Sequence, residues 1–434
     1  MHPPIIPQTQ SRRDFLRAGS ASVAAVALTF PNVLRGAQEN RKIKIGLIGC
    51  GGRGSGAIVN ALTADSDTEL WAMGDAFIEP LEKAHAALEG KYQATPGRVN
   101  APSERRFVGL DAYQKVLSSG IDFVILATPG GFRPTMLRAA VDAGKHIFCE
   151  KPMAVDPVGV LSVQESVKIA KEKNLAIRSG FCMRFEPAYV AAMERVHGGE
   201  IGDIVSIYST RMGGRLSRFS GERLAGQGHL EWQMRNWHHF TWLSGDLILE
   251  ISAHSVDKIA WAMGDEPPVK CVGSGAYHQQ KIGDIWDQHD VTYEWSNGVI
   301  AVLKSRYENN CHNEGRDVII GTKGRCELSD AGGYSAKITG ANPWRFQGPK
   351  TSMHQIEHDT LFAEIRAGRN PNDGVIMAQS TLMGVMGRMS AYTGKEVTWD
   401  KALASKLDTM PKALSWDMKL ETPVPALPGS TPLI

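Results

Sequence analysis

The sequence predicts an α/β fold: a parallel sheet doubly wound by helices, then a second half in which helices accompany mostly antiparallel strands. Three observations predict it. Short β-rich runs alternate with helical periodicity between residues 42 and 181, and repeated strand–helix units build parallel sheets. A glycine-rich turn follows the first of these runs directly. Beyond residue 269, β-branched runs are separated by turn signals such as Asn297-Gly298, the pattern of antiparallel strands.

With 434 residues the chain is long enough for two domains, and 42% hydrophobic against 22% charged is the balance of a globular protein with a sizeable core. The 48 Lys and Arg oppose 46 Asp and Glu without a long basic block, which argues against nucleic acid or an anionic membrane surface as partner. The six cysteines show neither CxxC pairing nor metal-ligand spacing, so buried thiols are expected and no metal.

Ser11-Arg12-Arg13-Asp14-Phe15-Leu16-Arg17 precedes a small and apolar run, Ala18 to Phe30, and then Pro31. That is the order of a twin-arginine export signal. The run is too short to cross a bilayer core of about 30 Å as a helix, so no stable membrane anchor is expected. Residues 1–38 are set aside as signal and linker, and the expected location is periplasmic or otherwise exported. Residues 39–182 then form the dinucleotide-binding domain, 183–405 a substrate-binding and oligomerisation domain, and 406–434 a tail.

Lys42 to Ile48 reads as a strand and turns into Gly49-Cys50-Gly51-Gly52-Arg53-Gly54, followed by a helix carrying Ala57, Ile58, Ala61 and Leu62. In this context Gly49 serves the tight turn, Gly51 and Gly52 with Arg53 line the approach of a diphosphate, and Gly54 lets helix and strand pack closely. The next strand, Glu69 to Met73, leads to Asp75, roughly 20 positions beyond the last glycine, where an acid accepts from a ribose 2′-OH and repels a 2′-phosphate. NAD is therefore the expected cofactor. A helix from Asp111, a strand from Ile121 to Ala127, the turn Thr128-Pro129-Gly130-Gly131 and a helix from Pro134 to Ala143 continue the alternation. They lead to His146-Ile147-Phe148-Cys149, a strand that delivers Glu150-Lys151-Pro152 at the carboxyl edge, where ligands of such sheets sit.

The second half contains Arg235-Asn236-Trp237-His238-His239-Phe240, in which Trp237 and His238 suit either a sugar-like ligand or a packed aromatic loop. A helix is expected from Asp246 to Met263, with Asp246, Glu250, His254 and Lys258 recurring every four residues and Glu250 stacked on His254. His354-Gln355-Ile356-Glu357-His358 matches a zinc-protease pattern formally, but it opens a terminal helix on a dinucleotide-binding chain and is not read as zinc.

The glycine loop, Ala127-Thr128-Pro129, Ala143-Gly144-Lys145-His146 and Glu150-Lys151-Pro152 together resemble the glucose-fructose oxidoreductase and inositol dehydrogenase (Gfo/Idh/MocA) family over roughly residues 41–400. The resemblance implies a Rossmann domain plus a C-terminal α+β domain with an open, mostly antiparallel sheet, commonly in a homo-oligomer such as a dimer or tetramer. It implies that His254 transfers a proton, that Glu250 stands where the family has an aspartate, that Lys151 holds the reacting oxygen, and that Glu150 helps bind the nicotinamide end. Thr128 and Pro129 then border the cofactor, and Asp257 supports the helix. Arg184 is open to two readings, a cleft residue or a structural ion pair. The implied partner is a sugar, glycoside or cyclitol.

The expected function is an exported NAD-dependent oxidoreductase acting on a carbohydrate or cyclitol. Export as a folded protein with NAD loaded would suit tightly bound cofactor. The alternative is a redox-neutral NAD-dependent glycoside hydrolase, which oxidises, eliminates, adds water and reduces again. A non-catalytic NAD-bound protein is the third reading.

Overall fold

Six parallel strands, β1 (Ile43–Ile48), β2 (Thr68–Asp75), β3 (Arg106–Val108), β4 (Phe123–Leu126), β5 (His146–Cys149) and β6 (Ile177–Ser179), form the first sheet in the order β3-β2-β1-β4-β5-β6. The strand order reverses between β1 and β4, which opens a crevice at their carboxyl ends. This computed structural model describes residues 41–215, 221–278, 282–421 and 423–433; the candidate export signal lies outside the described residues.

Helices α1 (Gly52–Ala64), α2 (Ile78–Lys91), α3 (Ala112–Ser118), α4 (Arg133–Asp142) and α5 (Pro157–Glu172) cover this sheet, and α6 (Pro187–His197) starts the second half. The expected β1, α1 and β2 are in place, and β2 runs on to include Asp75. One core forms between the sheet and α1, from Ile45, Leu47, Leu70, Met73, Phe123 and Ile125 against Ala57, Ile58 and Ala61.

The second sheet holds β7 (Ile204–Gly213), β8 (Lys270–Ala276), β9 (Gln288–Glu294), β10 (Ile300–Tyr307), β11 (Glu314–Gly321), β12 (Gly324–Ser329), β13 (Ser335–Gly340), β14 (Trp344–Arg345) and β15 (Val397–Thr398). Its order is β14-β13-β12-β11-β7-β10-β9-β8-β15, antiparallel except where β7 and β10 run parallel. The exception arises because β7 inserts between strands that follow it by some ninety residues, so the chain returns through helices rather than a hairpin.

Those helices are α7 (His229–Arg235), α8 (Thr241–Ser244), α9 (Leu247–Glu250) and α10 (Ala253–Ala262); α11 (Met353–Arg366), α12 (Gly374–Thr393) and α13 (Trp399–Ala404) follow the sheet. α11 returns to the first domain, where Leu361, Phe362 and Ile365 complete the core and the Phe362 ring lies 5.0 Å from Phe123. Burying a side chain of that size contributes about 1.5–3 kcal/mol, so the two halves stabilise each other. Most of α12 is buried, which explains a helix apolar on all sides. Among the described residues no helix, α12 included, is long and apolar enough to cross a membrane. All six cysteines are free thiols; five are buried, but Cys311 is exposed on the β10–β11 turn, where Asn309, Asn310 and His312 leave it no apolar cover.

Candidate active site

Gly49 sits at φ +90°, and a Cβ there would lie 2.7 Å from the Ala127 carbonyl. At Gly54 a Cβ would lie 1.9 Å from the Gly49 oxygen, so the β1–α1 turn admits only glycine at both places. Gly51 and Gly52 differ: a Cβ on either would meet nothing within 4 Å, and both are exposed. That open space lies over the N-terminus of α1, where unpaired N–H groups favour a diphosphate. The residues fit a dinucleotide.

Asp75 fastens the turn by accepting from Cys50 N at 2.7 Å and Phe77 N at 3.0 Å. Burial pushes its carboxyl up, against those donors, and its remaining lone pairs stay available to a ribose hydroxyl. Thr128 and Pro129 lie past the end of β4. Arg133, which the sequence reading did not single out, is fully buried behind them and donates to Leu126 O (2.7 Å), Thr128 O (2.6 Å) and Pro152 O (3.3 Å). One guanidinium thus ties the β4 turn to the loop after β5.

Arg53 turns inward from the glycine loop to bind Glu150, and its other end lies 3.5 Å from Glu357. Burial alone would raise the Glu150 carboxyl; Arg53 and Lys151 outweigh it and hold it below the usual range. Glu357 goes the other way, pushed well up by burial and by the Glu150 charge. The His358 ring lies 4.3 Å from Phe148, tilted by 34°, and burial takes its imidazole down to about 3. The Glu357-His358 pair is therefore part of the packing under β5.

Lys151 extends from the end of β5 to the Glu250 carbonyl, and its ammonium is 3.3 Å from Glu250 Oε1. The expected continuous helix from Asp246 to Met263 is not formed. Ser252 N bonds Leu247 O, five residues back, and Ser252 then caps a new helix whose Ser255 and Val256 amides bond its carbonyl. The Ser252 hydroxyl is 2.8 Å from the Tyr307 hydroxyl, which fixes the break. In consequence the expected Glu250–His254 stacking is replaced: among the described residues no hydrogen bond or ion pair joins them, and Glu250 serves Lys151. The rest of the polar stripe also disperses, Asp246 to Trp286 N and Tyr392 and Lys258 to Asp317.

His254 faces the edge of Phe181, with ring centroids 6.2 Å apart, and its Nδ1 is buried without a hydrogen-bond partner among the described residues. Burial, then the Lys151, Arg211 and Lys258 cations, push the imidazole well below its usual range. An imidazole pushed down in this way keeps its lone pair open to a proton near neutral pH.

Arg184 proves to be a structural ion pair. Its Nε donates to both Asp257 oxygens at 3.0 Å, and NH1 and NH2 reach Asp265 at 3.1 and 2.6 Å, which occupies all three nitrogens. Asp257 also accepts from Ser380 at 2.8 Å and supports α10 as expected. Trp237 and His238 stack on each other at 3.5 Å, and His238 is buried. Trp237 packs on a separate apolar cluster of Phe132, Leu230, Trp232, Phe240, Trp242 and Leu243, so the segment is first of all a packed one.

A cleft of about 310 Å³ lies beside Ile251 on the sheet, lined among others by Arg211, Tyr307, Glu314, Asn313 and Asp330. Arg211 pairs with Asp330 across it. Its size and few convergent polar groups suit a small ligand. These residues were missed because they come from β7, β10, the start of β11 and the turns before β11 and after β12, and none falls in a motif.

Comparison with known proteins gives a consistent result. The family described as "Oxidoreductase family, NAD-binding Rossmann fold" matches residues 43–181, and the GFO/IDH/MocA C-terminal domain matches residues 189–327. Inositol 2-dehydrogenase 4 of Saccharopolyspora erythraea is 26% identical over 302 residues, covering 70% of this chain and 75% of that protein. Inositol 2-dehydrogenase of Rhizobium meliloti is 23% identical over 346 residues, covering 77% of this chain and 93% of that protein. The WlbA dehydrogenase of Bordetella pertussis, solved with NADH and UDP-GlcNAcA, superposes with a TM-score of 0.63 at 21% identity, over 82% of this chain and 99% of that one, which shows the shared fold. With its Rossmann domain, its mostly antiparallel C-terminal sheet and its glycine and Glu-Lys-Pro loops in place, the chain belongs to the Gfo/Idh/MocA family of NAD-binding oxidoreductases.

Proposed function

We propose that this enzyme oxidises a secondary alcohol of a carbohydrate or cyclitol, with hydride passing to NAD held at the glycine loop, and that it works outside the cytoplasm. The observation that carries the reading is the Lys151 ammonium, held by Glu250 at the carboxyl end of β5 and electrostatically coupled to the neutral His254. Bound NAD supplies the hydride acceptor. Lys151 holds the alcohol oxygen and stabilises the charge that develops on it, and His254 receives the hydroxyl proton. The cleft lined by Arg211, Tyr307 and Asp330 offers donors and acceptors to the remaining hydroxyls. The inositol dehydrogenase relatives support a cyclitol or sugar, and the twin-arginine pattern in residues 11–31 supports export.

The test is oxidation of a panel of inositols, free aldoses and glycosides, read as NADH formed in one turnover of NAD-loaded enzyme and as oxidised product with a sugar carbonyl acceptor present, run on exported and cytoplasmic fractions of the producing cell. Activity on at least one polyol in the exported fraction is expected. Activity confined to the cytoplasm would remove export from the reading, and a protein that binds NAD yet oxidises none of the panel would remove the substrate class. Asp75→Ala is expected to shift the NAD over NADP preference at least about tenfold toward NADP, from loss of ribose acceptance and of 2′-phosphate repulsion. Because the preference is a ratio, general loosening of the glycine turn leaves it unmoved, and an unchanged ratio would take Asp75 out of the ribose site.

Redox-neutral glycoside cleavage uses the same residues. What favours it is that the C-terminal segment sets Met410 against the β4 turn and the Trp416 ring 5.7 Å from Phe77, beside the end of β2, where both would hinder release of the nucleotide.

A further inference from the structure

We propose that the C-terminal segment from Leu407 to Glu421, together with Gly228 to Leu243, is a cover that keeps NAD from exchanging between turnovers. The proposal rests on the NAD reading above and adds residues that neither the glycine loop nor the Glu-Lys-Pro loop contains.

The contacts of the segment follow the carboxyl edge of the parallel sheet. Thr409 N and Oγ1 donate to Asp156 at 2.8 and 2.7 Å, just beyond the loop after β5. Met410 then lies against the β4 turn: a Cβ on Gly131 would be 2.9 Å from its sulfur. Met410, Leu414, Met418 and Leu420 pack on the cluster that also takes in Phe132 after β4 and Leu110 after β3. Farther along, the Trp416 ring is 5.7 Å from Phe77, two residues past Asp75 at the end of β2. The path therefore runs from β5 past β4 to β2, across the mouth of the crevice that opens between β4 and β1.

The second segment holds the cover in place. His229 Nδ1 lies 2.6 Å from Leu420 O, and Gln233 Nε2 donates to Glu421 O at 3.2 Å. Arg235 lies over the Phe77 ring at 4.0 Å and pairs with Glu79 at 3.3 Å, so Phe77 is gripped by both segments. Below them the space over Gly51 and Gly52 remains free. A dinucleotide lying there, with its ribose at Asp75, would have the cover above its adenosine half.

The cover is also thin. Trp416 is 39% exposed, so it can lift without unfolding the sheet. Retention has a chemical consequence. Hydride taken from one alcohol must leave NADH to a carbonyl group presented at the same site, either on a second sugar or on the oxidised substrate itself.

The test uses the full-length enzyme loaded with NADH, chased with excess NAD, with loss of bound-NADH fluorescence giving the exit rate and mixing experiments giving the entry rate. Exit is expected to be slower than turnover in the wild type. Trp416→Ala should speed exit about tenfold, the size of a lost aromatic contact, and should speed entry as well, whereas Trp416→Phe should keep both slow. Loss of a direct nucleotide contact would raise exit alone. Unchanged exit in Trp416→Ala, or faster exit with unchanged entry, would overturn the cover. Failure of the wild type to bind NADH at all would instead overturn the cofactor assignment, and the proposal with it.

Discussion

Lys151→Ala is expected to lower kcat by about a thousandfold or more, the scale on which removal of a preorganised group facing developing charge acts. Lys151 is the cation that the β5 strand places at the carboxyl edge, and Glu250 meets it there with both its carbonyl and its carboxylate. The same substitution leaves Glu250 in its buried position without a partner. Burial already raises the Glu250 carboxyl and Lys151 opposes that rise, so without the lysine it moves up further and Glu250 becomes neutral at lower proton concentration. A stability cost of about 1–3 kcal/mol should accompany the lost activity. The two effects are separable. Lys151→Met combined with Glu250→Gln removes both charges and should recover most of the thermal stability while staying inactive. A double variant that regained activity along with stability would show that Lys151 supports the fold and not the reaction.

How much of this was legible in sequence follows from the range of each interaction. The glycine turn could be read because Gly49 and Gly54 answer to neighbours within or beside one strand–helix unit. Glu150-Lys151-Pro152 could be read for the same reason, as the end of an apolar strand. The break between α9 and α10 could not: Leu247, Ile248, Ile251 and Ile259 keep helical spacing through it, and the Ser252 hydroxyl is drawn away by Tyr307, a residue on β10. The Arg211–Asp330 pair is invisible for a similar reason, since its members lie far apart in the chain, and Arg133 because its partners are backbone carbonyls, which leave no mark on residue type. Trp237 and His238 were open to two readings, a sugar site or a packed aromatic loop, and the packing is what the structure shows of them. Aromatic and polar residues were interleaved as in a sugar site, yet the apolar side chains of the C-terminal segment give the run something to pack against. The tail from residue 406 was set apart from both domains, since its scattered Met, Leu and Trp carry no periodicity.

His254→Asn should lower activity by about 100- to 10,000-fold, the usual contribution of a positioned general base, and what remains should rise with pH as hydroxide replaces the imidazole. The wild-type profile carries the sharper signature. An ordinary histidine would lose its base form as pH falls through about 6.5. Here burial and the cations of Lys151, Arg211 and Lys258 depress the imidazole well below that, so the acid limb assigned to His254 should lie on the acidic side of the ordinary position. Stability should report the same depression with a definite sign. Below about pH 6.5 the unfolded chain takes up a proton at this position that the native chain refuses, so the neutral histidine's contribution is present above that pH and is lost as pH falls toward the folded value. The loss should approach about 1.4 kcal/mol per pH unit within that window and be missing from His254→Asn. Thermal unfolding of both proteins between neutral and mildly acidic pH measures it, and parallel curves would mean that His254 titrates normally. A normal titration would leave it protonated beside Lys151 for part of the working range, which is the wrong state for the residue that must accept the alcohol's proton.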